Sequence, residues 1–479
     1  MKRQSLSRNF AYQFLYQILI LVIPLVLSPY LTRTLHETAL GVYTYANSIA
    51  YYFIMFSMLG ISRHGQRVIS QNCKDELSLR KTFWSLFYVH AIVSVMVLSA
   101  YIIFVCFFVK NYKSIYIIES FYVLSALFDI TWFFYGIENF KSVVIKNAIV
   151  KIAECILIFL LIKSPKDLWI YTLICAAGVL IGQAVMLPQA MHMIKPVQVS
   201  IKDMTVHLKP LFVFSISVIA VSLYTVFDKI LLGILTNADN VAFYEYANKI
   251  ISIPKTVITV IGTVMFPRAC KMVVLGDWKG QKRYIQYSFM LTSCIGMAAL
   301  FGLLAIAKPF AILYYGESFA VTGRIMMAMS PLVYIIGTGD ILRTQFLIPN
   351  HMDKQFNLCI MFNAIINIIV SVSLIPALGI FGVILGTVLA ELFGILFQII
   401  VCRQFVKVKE IIIPLLPFVV IGLVMFLVIR TMICIMDNSF ISLIVQISVG
   451  GLIYLLLATV YIMTFYKEIR KKVIDRFSR

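Results

Sequence analysis

The chain has 479 residues, of which 61% are hydrophobic and only 13% are charged. Soluble proteins carry about 25% charged residues, so this composition excludes an ordinary soluble protein and indicates one that buries its surface in lipid. The formal net charge of +20 is compatible with nucleic-acid binding, but the basic residues recur on alternate loops rather than in one patch, which argues against it.

Apolar segments long enough to cross a bilayer, which takes about 20 residues, occur along the whole chain. We predict six transmembrane helices near residues 9–35, 40–62, 82–109, 115–137, 142–162 and 168–193. Six more are predicted near 208–236, 241–265, 284–307, 320–347, 355–378 and 380–402, and two come last, near 411–436 and 440–465. The sequence therefore predicts an all-α, polytopic membrane protein with about 14 transmembrane helices.

Loops rich in Lys and Arg alternate with loops that have few. The loop holding Arg63, Arg67 and Lys81 is strongly basic, whereas "TNADN" has no basic residue. In membrane proteins, the basic loops face the cytoplasm. We expect both termini to be cytoplasmic and the number of spans to be even. The basic "MKRQSLSRNF" start precedes an apolar run that is too long for a cleavable signal peptide and lacks a small-residue cleavage site.

One nine-residue sequence segment, called the repeated phrase below, occurs twice with small changes. "GVYTYANSI" at residues 41–49 recurs as "AFYEYANKI" at residues 242–250, so that Asn47 corresponds to Asn248. The same spacing relates basic residues of the loops that follow, such as Arg67 and Arg268. Six predicted helices separate equivalent positions, so both halves enter the membrane in the same direction, as in transporters built from parallel repeats.

The repeat predicts how the chain is divided. We expect an N-terminal six-helix lobe at residues 1–200 and a second at 201–407, related by a parallel pseudo-twofold axis around a central cavity. Residues 408–479 add two helices and a basic cytoplasmic tail.

Polar stripes begin at the repeated phrase on the second and eighth predicted helices. Asn47 and Tyr51 share one helical face, and Glu245, Asn248 and Lys249 share the equivalent face in the second half. A polar stripe does not face lipid, so it contacts either water or another helix. Two interpretations of these stripes remain open: they line a central cavity, or they form hydrogen bonds between helices.

Ionisable residues also fall inside the predicted spans, where each costs roughly 3 kcal/mol if it faces lipid. Some can form structural pairs, because Lys151 and Glu154 are three residues apart on one helix. Others can form a cationic cavity wall that binds an anion such as phosphate. The predicted substrate-binding residues are Asn47, Tyr51, Lys146, Lys151, Asn248, Lys249 and Lys255.

Asp228 and Glu245 are the predicted ion-coupling residues. They lie toward the outer ends of two predicted helices that are joined only by "TNADN". A gradient-driven transporter needs a site whose ion occupancy differs between its two states, and an intramembrane carboxylate can supply one. The coupling ion would be H+ or Na+. A permanent structural ion pair is the alternative, and it also remains open.

Motifs for enzymes are missing from the sequence. There is no Gly-Lys dipeptide for a phosphate-binding loop, and "HETAL" begins like a zinc-protease motif but ends in Leu40. The cysteines form no C-x-x-C pair, which predicts neither a zinc nor a redox site. We therefore predict no catalytic residue, no metal and no cofactor. The G-x-x-x-G pairs Gly178/Gly182 and Gly382/Gly386 are predicted to serve helix packing.

Several segments spread along the chain have a familiar order and spacing. They include "IPLVLSPYLTRTL", "MLGISRHGQRVIS", "ALFDITWFFYGIENFK", "AVSLYTVFDKILLG", "QFLIPNHMDKQF" and "GVILGTVLAE". Together they resemble the polysaccharide (O-antigen-type) flippase family, which belongs to the multidrug/oligosaccharidyl-lipid/polysaccharide exporter superfamily. The chain departs from the family at His36, where many relatives have glycine.

The resemblance implies a flippase of the bacterial cytoplasmic membrane. Such a protein moves undecaprenyl-pyrophosphate-linked sugar repeat units from the cytoplasmic to the outer leaflet by alternating access, coupled to an ion gradient. The predicted lysines would then hold the pyrophosphate. We expect a monomer that binds this lipid-linked oligosaccharide, associates with a glycan polymerase and glycosyltransferases, and binds no nucleic acid.

Three other functions are compatible with parts of the pattern. A multidrug or metabolite cation antiporter of the same superfamily typically has an acidic residue in its first helix, and residues 9–35 contain none. A membrane-embedded glycan polymerase would be expected to have a large outer loop, which the sequence lacks. A channel is the third class, and the twofold repeat does not exclude it.

Overall fold

The computed structural model describes residues 6–73 and 75–465. Within these residues the chain is helical apart from turns and short loops, and it has no strand. It forms two compact units, Met1–Ala242 and Phe243–Arg479. The prediction of an all-α fold is confirmed. The basic tail predicted after residue 465 lies outside the described residues.

Ten helices lie in the described part of the first unit, and they differ greatly in length. They are α1 (Leu6–Met58), α2 (Ile61–Asn72), α3 (Glu76–Phe108), α4 (Lys113–Ser125), α5 (Thr131–Gly136), α6 (Phe140–Leu161), α7 (Leu168–Ala184), α8 (Met186–Met193), α9 (Ile201–Thr225) and α10 (Phe227–Leu235).

Eight further helices follow, the first of which begins within the last residues of the first unit. They are α11 (Ala238–Val274), α12 (Trp278–Tyr315), α13 (Ala320–Met329), α14 (Pro331–Leu342), α15 (Asp353–Leu378), α16 (Ile380–Val401), α17 (Val408–Ile435) and α18 (Phe440–Phe465).

Twelve helical segments in the described residues are long and apolar enough to cross a membrane. The first of them, Leu15–Asn72, contains two predicted spans, which meet where α1 turns at His36. The 22-residue α6 is long enough to span, but it is not among the twelve because it carries several charged residues. When α1 is counted as two spans and α6 is included, each of the fourteen predicted spans corresponds to a largely helical segment.

The turn in α1 depends on an unusual backbone conformation. His36 has φ 59° and ψ 176°, a region that essentially only glycine adopts, because the Cβ of any other residue collides with the backbone there. The position coincides with the departure from the family's glycine. The first two spans are therefore joined through a strained residue instead of a loop.

Four predicted spans are broken rather than continuous. The sixth is divided into α7 and α8, and the seventh into α9 and α10. In the fourth, a 3₁₀ turn at Ala126–Phe128 follows α4, and the Asp129 carboxylate accepts hydrogen bonds from the Thr131 N–H at 2.9 Å and the Thr131 hydroxyl at 2.6 Å. Asp129 therefore lies at the break, two residues before α5 begins, instead of in mid-helix. The tenth predicted span consists of α13, α14 and a π-helical turn at Arg343–Leu347.

The predicted helix-packing role of both G-x-x-x-G pairs is confirmed. A Cβ at Gly178 would lie 2.4 Å from the Glu154 Oε1, and one at Gly182 would lie 3.2 Å from the Val150 Cγ2, so α7 packs directly on α6. A Cβ at Gly386 would lie 2.2 Å from the Ser371 hydroxyl, so α16 packs on α15 in the same way.

The compact units do not follow the lobe boundary predicted from the repeat. Helices α9 and α10 fall in the predicted second lobe but pack within the first unit, where the Tyr52 hydroxyl donates to the Ser222 carbonyl at 3.0 Å. The repeat identifies equivalent segments of sequence, whereas the units reflect which segments pack together. The lobe boundaries remain a prediction.

Candidate functional site

Asn47, in the first copy of the repeated phrase, contacts a buried carboxylate. Its side-chain amide lies 3.4 Å from both carboxylate oxygens of Glu119 on α4. Only 1% of the surface of Glu119 is exposed. The polar stripe of the second span therefore faces another helix at this point. This contact supports the hydrogen-bonding interpretation of Asn47 and adds an acidic group beside it.

Glu119 is a candidate that the sequence interpretation missed. It lies within "YIIESFYV", where a carboxylate between apolar residues gives the same signal that identified the other intramembrane charges. Tyr43, Tyr101 and Tyr122 lie close enough to interact with it electrostatically. Aromatic rings and a neutral amide therefore surround this carboxyl group.

Lys151 forms the structural pair that its spacing predicted. Its amine lies 2.7 Å from a carboxylate oxygen of Glu154, which is the next acidic residue on α6. Glu154 is buried, and the side chain of Lys151 is partly exposed. Because Glu154 also fills the space over Gly178, the pair is fixed by the packing of α7 on α6. The role of Lys151 in substrate binding remains a prediction.

Cys175 on α7 is close to both buried carboxylates. Its thiol interacts electrostatically with Glu154, Lys151, Tyr43 and Glu119. A set of polar side chains therefore extends from Asn47 to Lys151 within the first unit, buried at Glu119 and Glu154 and partly exposed at Lys151. This set of residues, Asn47, Glu119, Tyr43, Cys175, Glu154 and Lys151, is called the polar interior below.

Tyr51 and Lys146 lie outside this polar interior. Tyr51 lines a cavity of about 230 Å³ with Arg63 and Phe214, and its ring packs edge-on against Tyr52, with 6.3 Å between centroids. The amine of Lys146 donates to the Gln183 Oε1 at 3.0 Å, on the side of α6 that borders a groove. The structure does not gather all four residues predicted in the first half at one point.

The second-half candidates lie on α11 in the second unit. The Lys249 amine is 4.0 Å from the centroid of the Tyr246 ring, which is a close cation–π contact. Asn248 and Lys255 are half-buried, as is Glu245, which interacts electrostatically with Tyr315. The repeated phrase packs similarly in both units, since Ala46 and Ala247 are each completely buried.

Asp228 is buried near the start of α10, with 1% of its surface exposed. It lies in the first unit, where it interacts electrostatically with Tyr52, whereas Glu245 lies in the second unit. The ion-coupling role of these two residues remains a prediction. Within the described residues, no three His, Cys, Asp or Glu side chains are grouped so that they could hold a metal ion.

A second polar contact that sequence reasoning missed links three helices at one end of the first unit. The Nε2 of His64 on α2 lies 3.0 Å from the Nδ1 of His207 on α9, and the other ring nitrogen of His207 lies 3.1 Å from the Ser85 hydroxyl on α3. His64 and His207 are 143 positions apart, so no local pattern connects them. This chain of hydrogen bonds fixes the start of α9 on α2 and α3.

Comparison with known proteins identifies the family. Residues 6–273 match the model of the family described as "Polysaccharide biosynthesis protein". The chain belongs to this family. A protein of Shigella dysenteriae assigned as an O-antigen transporter is 24% identical over 399 residues, which cover 82% of this chain and 99% of the relative. A protein of Escherichia coli (strain K12) with the same assignment is 25% identical over 358 residues, covering 74% and 86% of the two chains.

Solved structures show the same fold for this member of the polysaccharide biosynthesis family. The lipid II flippase MurJ, in an inward closed conformation, superposes with a TM-score of 0.78 at 17% identity, covering 96% of this chain and 99% of MurJ. An inward-facing multidrug-resistance transporter of the MATE family gives a TM-score of 0.60 at 12% identity, covering 82% and 96%. The predicted multi-pass, all-helical fold is confirmed. Both relatives are named for transport.

Proposed function

We propose that this protein is a flippase for lipid-linked oligosaccharides. It moves undecaprenyl-pyrophosphate-linked repeat units from the cytoplasmic to the outer leaflet of the bacterial cytoplasmic membrane by alternating access, coupled to a gradient of H+ or Na+. It works as a monomer with cytoplasmic termini, beside the glycan polymerase and glycosyltransferases that use the same lipid carrier. The family and the O-antigen assignments of its relatives support this substrate class.

The polar interior of the first unit is the observation that carries the proposal. A lipid-linked glycan has a charged pyrophosphate and a hydroxyl-rich head, and neither crosses hydrocarbon without polar partners. The lysine of the polar interior can pair with the pyrophosphate, and the tyrosines and carboxylates can hydrogen-bond the sugar hydroxyls. Intramembrane ionisable groups also commonly mark a transport pathway. The polyprenyl tail needs no such environment and can stay in lipid.

Lys249 and Lys255, which lie together on α11, form the proposed pyrophosphate set. Lys151 in the polar interior of the first unit is a separate candidate for contacting the anion. In this conformation Lys151 is paired with Glu154 and Lys249 lies over Tyr246, so binding of the anion would replace these partners. We leave Lys146 out of the set because it donates to Gln183 and lines a groove on the outside of α6 and α7.

Glu119 joins Asp228 and Glu245 as a candidate for ion coupling. Its carboxylate oxygens contact a neutral amide, and an ionised carboxylate buried without a cation is costly. The group therefore favours either a bound proton or a bound cation. Coupling requires that this occupancy differs between the inward- and outward-open states, because only differential affinity shifts an equilibrium.

The substrate proposal can be tested in vesicles that contain the purified full-length protein and a lipid-linked oligosaccharide. The fraction of glycan accessible to an added glycan-binding reagent reports transfer between leaflets. We expect transfer by the wild-type protein and a loss of at least about tenfold, equivalent to 1.4 kcal/mol, in a Lys249→Gln/Lys255→Gln variant. A Lys279→Gln variant, which changes an exposed lysine, is the matched control. Unchanged transfer by the double variant would contradict the proposed pyrophosphate set.

The coupling proposal needs a separate comparison of gradient-driven transfer and exchange without a gradient. We expect Glu119→Gln to abolish the response to an imposed H+ or Na+ gradient and to retain exchange. The matched control is Glu317→Gln, which changes an exposed glutamate. Equal loss of both activities, together with a lower thermal stability, would indicate a purely structural role for Glu119.

A further inference from the structure

A groove follows the outer side of α6, α7 and α8 in the first unit. It has a volume of about 600 Å³, and it is separate from the polar interior. One end is polar and the rest of the wall is apolar. The lining residues are Asn139, Lys141, Ser142, Ile145, Lys146, Ile149, Val150, Ile181, Gly182, Val185 and Gln189.

The apolar wall of the groove is exposed on the outer surface of α6 and α7. Ile149, Ile181 and Val185 are 62%, 58% and 61% exposed, respectively. On a membrane-spanning helix, such side chains meet lipid rather than water. The floor of the groove is closed because Gly182 brings α7 against Val150 of α6. A molecule in the groove therefore has a route to the lipid but none through the helix pair.

The polar end is built by hydrogen bonds between the elements. The Gln189 amide donates to the Ser142 hydroxyl at 3.1 Å, and Ser142 also donates to the Asn139 Oδ1 at 3.2 Å, which caps the start of α6. The Lys146 amine donates to the neutral Gln183 amide at 3.0 Å. A lysine ammonium has three N–H donors, so this contact leaves two for another acceptor.

The charge balance of the polar end favours an anion. In the described part of the chain, neither Lys141 nor Lys146 forms an ion pair. Asp129 is the carboxylate that interacts electrostatically with Lys146, and its single negative charge does not balance the two lysines. Two lysines beside an apolar wall therefore match a ligand that has both a negative group and hydrocarbon.

We propose that this groove binds an anionic phospholipid of the cytoplasmic leaflet. Its phosphodiester contacts Lys141 and Lys146, and its acyl chains lie along Ile149, Ile181 and Val185. The predicted topology places the start of α6 on the cytoplasmic side, and basic pockets between transmembrane helices on that side bind anionic head groups. The closed floor favours a resident lipid over the transported substrate, which must leave its site for the other leaflet.

Native mass spectrometry of the purified full-length protein tests this proposal, with phosphatidylglycerol and phosphatidylcholine as probes. We expect the wild-type protein to retain phosphatidylglycerol preferentially, and Lys141→Gln/Lys146→Gln to bind it about tenfold more weakly. Lys110→Gln/Lys166→Gln, which changes two exposed lysines elsewhere, should bind it as the wild type does. Lys146→Arg keeps the charge and should retain most of the binding, which separates loss of charge from misfolding.

Three results would overturn the proposal. The first is equal retention of the two phospholipids by the wild-type protein. The second is wild-type affinity for phosphatidylglycerol in the Lys141→Gln/Lys146→Gln variant. The third is one-for-one replacement of the bound phosphatidylglycerol by added polyprenyl pyrophosphate at equal concentration, which would show that the groove takes the transported lipid.

Discussion

Thr38 and Asp239 are equivalent residues of the internal repeat, and their side chains are hydrogen-bonded to each other. The Thr38 hydroxyl donates to the Asp239 Oδ1 at 2.7 Å, and the two positions are 201 residues apart, the same spacing that relates Asn47 to Asn248. Beside them, a Cβ at Gly41 would lie 1.9 Å from the Ala238 carbonyl oxygen. A contact between equivalent positions is expected where a pseudo-twofold axis passes, so this pair supports the repeat inferred from the sequence.

The first prediction concerns this contact. Thr38 lies just after the turn in α1, and Asp239 lies at the start of α11. If transport moves these two positions apart, a short thiol-specific cross-link in a Thr38→Cys/Asp239→Cys variant should stop glycan transfer in vesicles. Reagents applied to either single-cysteine variant should have little effect. Cleavage of a reducible cross-linker should restore transfer. Full activity of the cross-linked protein would show that the two ends stay together throughout the cycle.

The second prediction concerns His36. Replacing His36 with glycine removes the Cβ from a glycine-only backbone conformation and should raise the free energy of unfolding by about 1 kcal/mol. His36→Ala keeps the Cβ and should give no such gain. Glu37→Gly, one residue later within regular helix, should instead lower stability by about 1 kcal/mol. Thermal unfolding in detergent measures all three, and equal effects of the glycine and alanine variants at His36 would contradict the proposed strain.

The third prediction concerns the packing of α7 on α6. Gly178→Ala places a methyl group against Glu154 and should lower the free energy of unfolding by about 1–3 kcal/mol, because it displaces the Lys151–Glu154 pair. Gly451→Ala is the control, since a Cβ there meets nothing within 4 Å. It should be neutral or slightly stabilising, as alanine favours helix. Equal stability of the two variants would refute the close contact.

The fourth prediction concerns the hydrogen bonds of His207. His207→Ala leaves His64 and Ser85 without their shared partner and should lower the free energy of unfolding by about 1–3 kcal/mol. His192→Ala changes an exposed histidine of the same unit and should have little effect. Comparison of unfolding temperatures in detergent tests this difference. An unchanged stability of His207→Ala would mean that the network does not hold α9 in place.

The helices could be predicted from the sequence, because membrane insertion depends on apolar length, which is a local property. The sequence predicts α6 as a span even though it contains Lys146, Lys151 and Glu154. The three-residue spacing of Lys151 and Glu154 also predicts their ion pair. The join at His36 could not be predicted, because its backbone angles depend on how the two halves of α1 pack. The break at Asp129 was missed for a similar reason, since apolar residues continue through it.

The candidate site was less predictable, because its contacts link residues that are distant in the sequence. Asn47 is a predicted substrate-binding residue, but its hydrogen-bond partner Glu119 is 72 positions away in the sequence. The cation–π contact between Tyr246 and Lys249 joins residues three apart on one helix, so it could have been predicted from spacing as the Lys151–Glu154 pair was. Spacing on one helix identifies pairs such as Lys151 and Glu154, whereas pairing between helices requires the three-dimensional structure.

Mass spectrometry of lipid-linked oligosaccharides in a bacterium that lacks this protein tests the central claim most directly. Combined with a leaflet-specific labelling reagent, it measures how much of the undecaprenyl-pyrophosphate-linked repeat unit faces each side of the membrane. We predict that the repeat units accumulate on the cytoplasmic side and that expression of the wild-type chain restores the normal distribution. An unchanged distribution in the strain without the protein, with normal glycan export, would contradict the proposed flippase function.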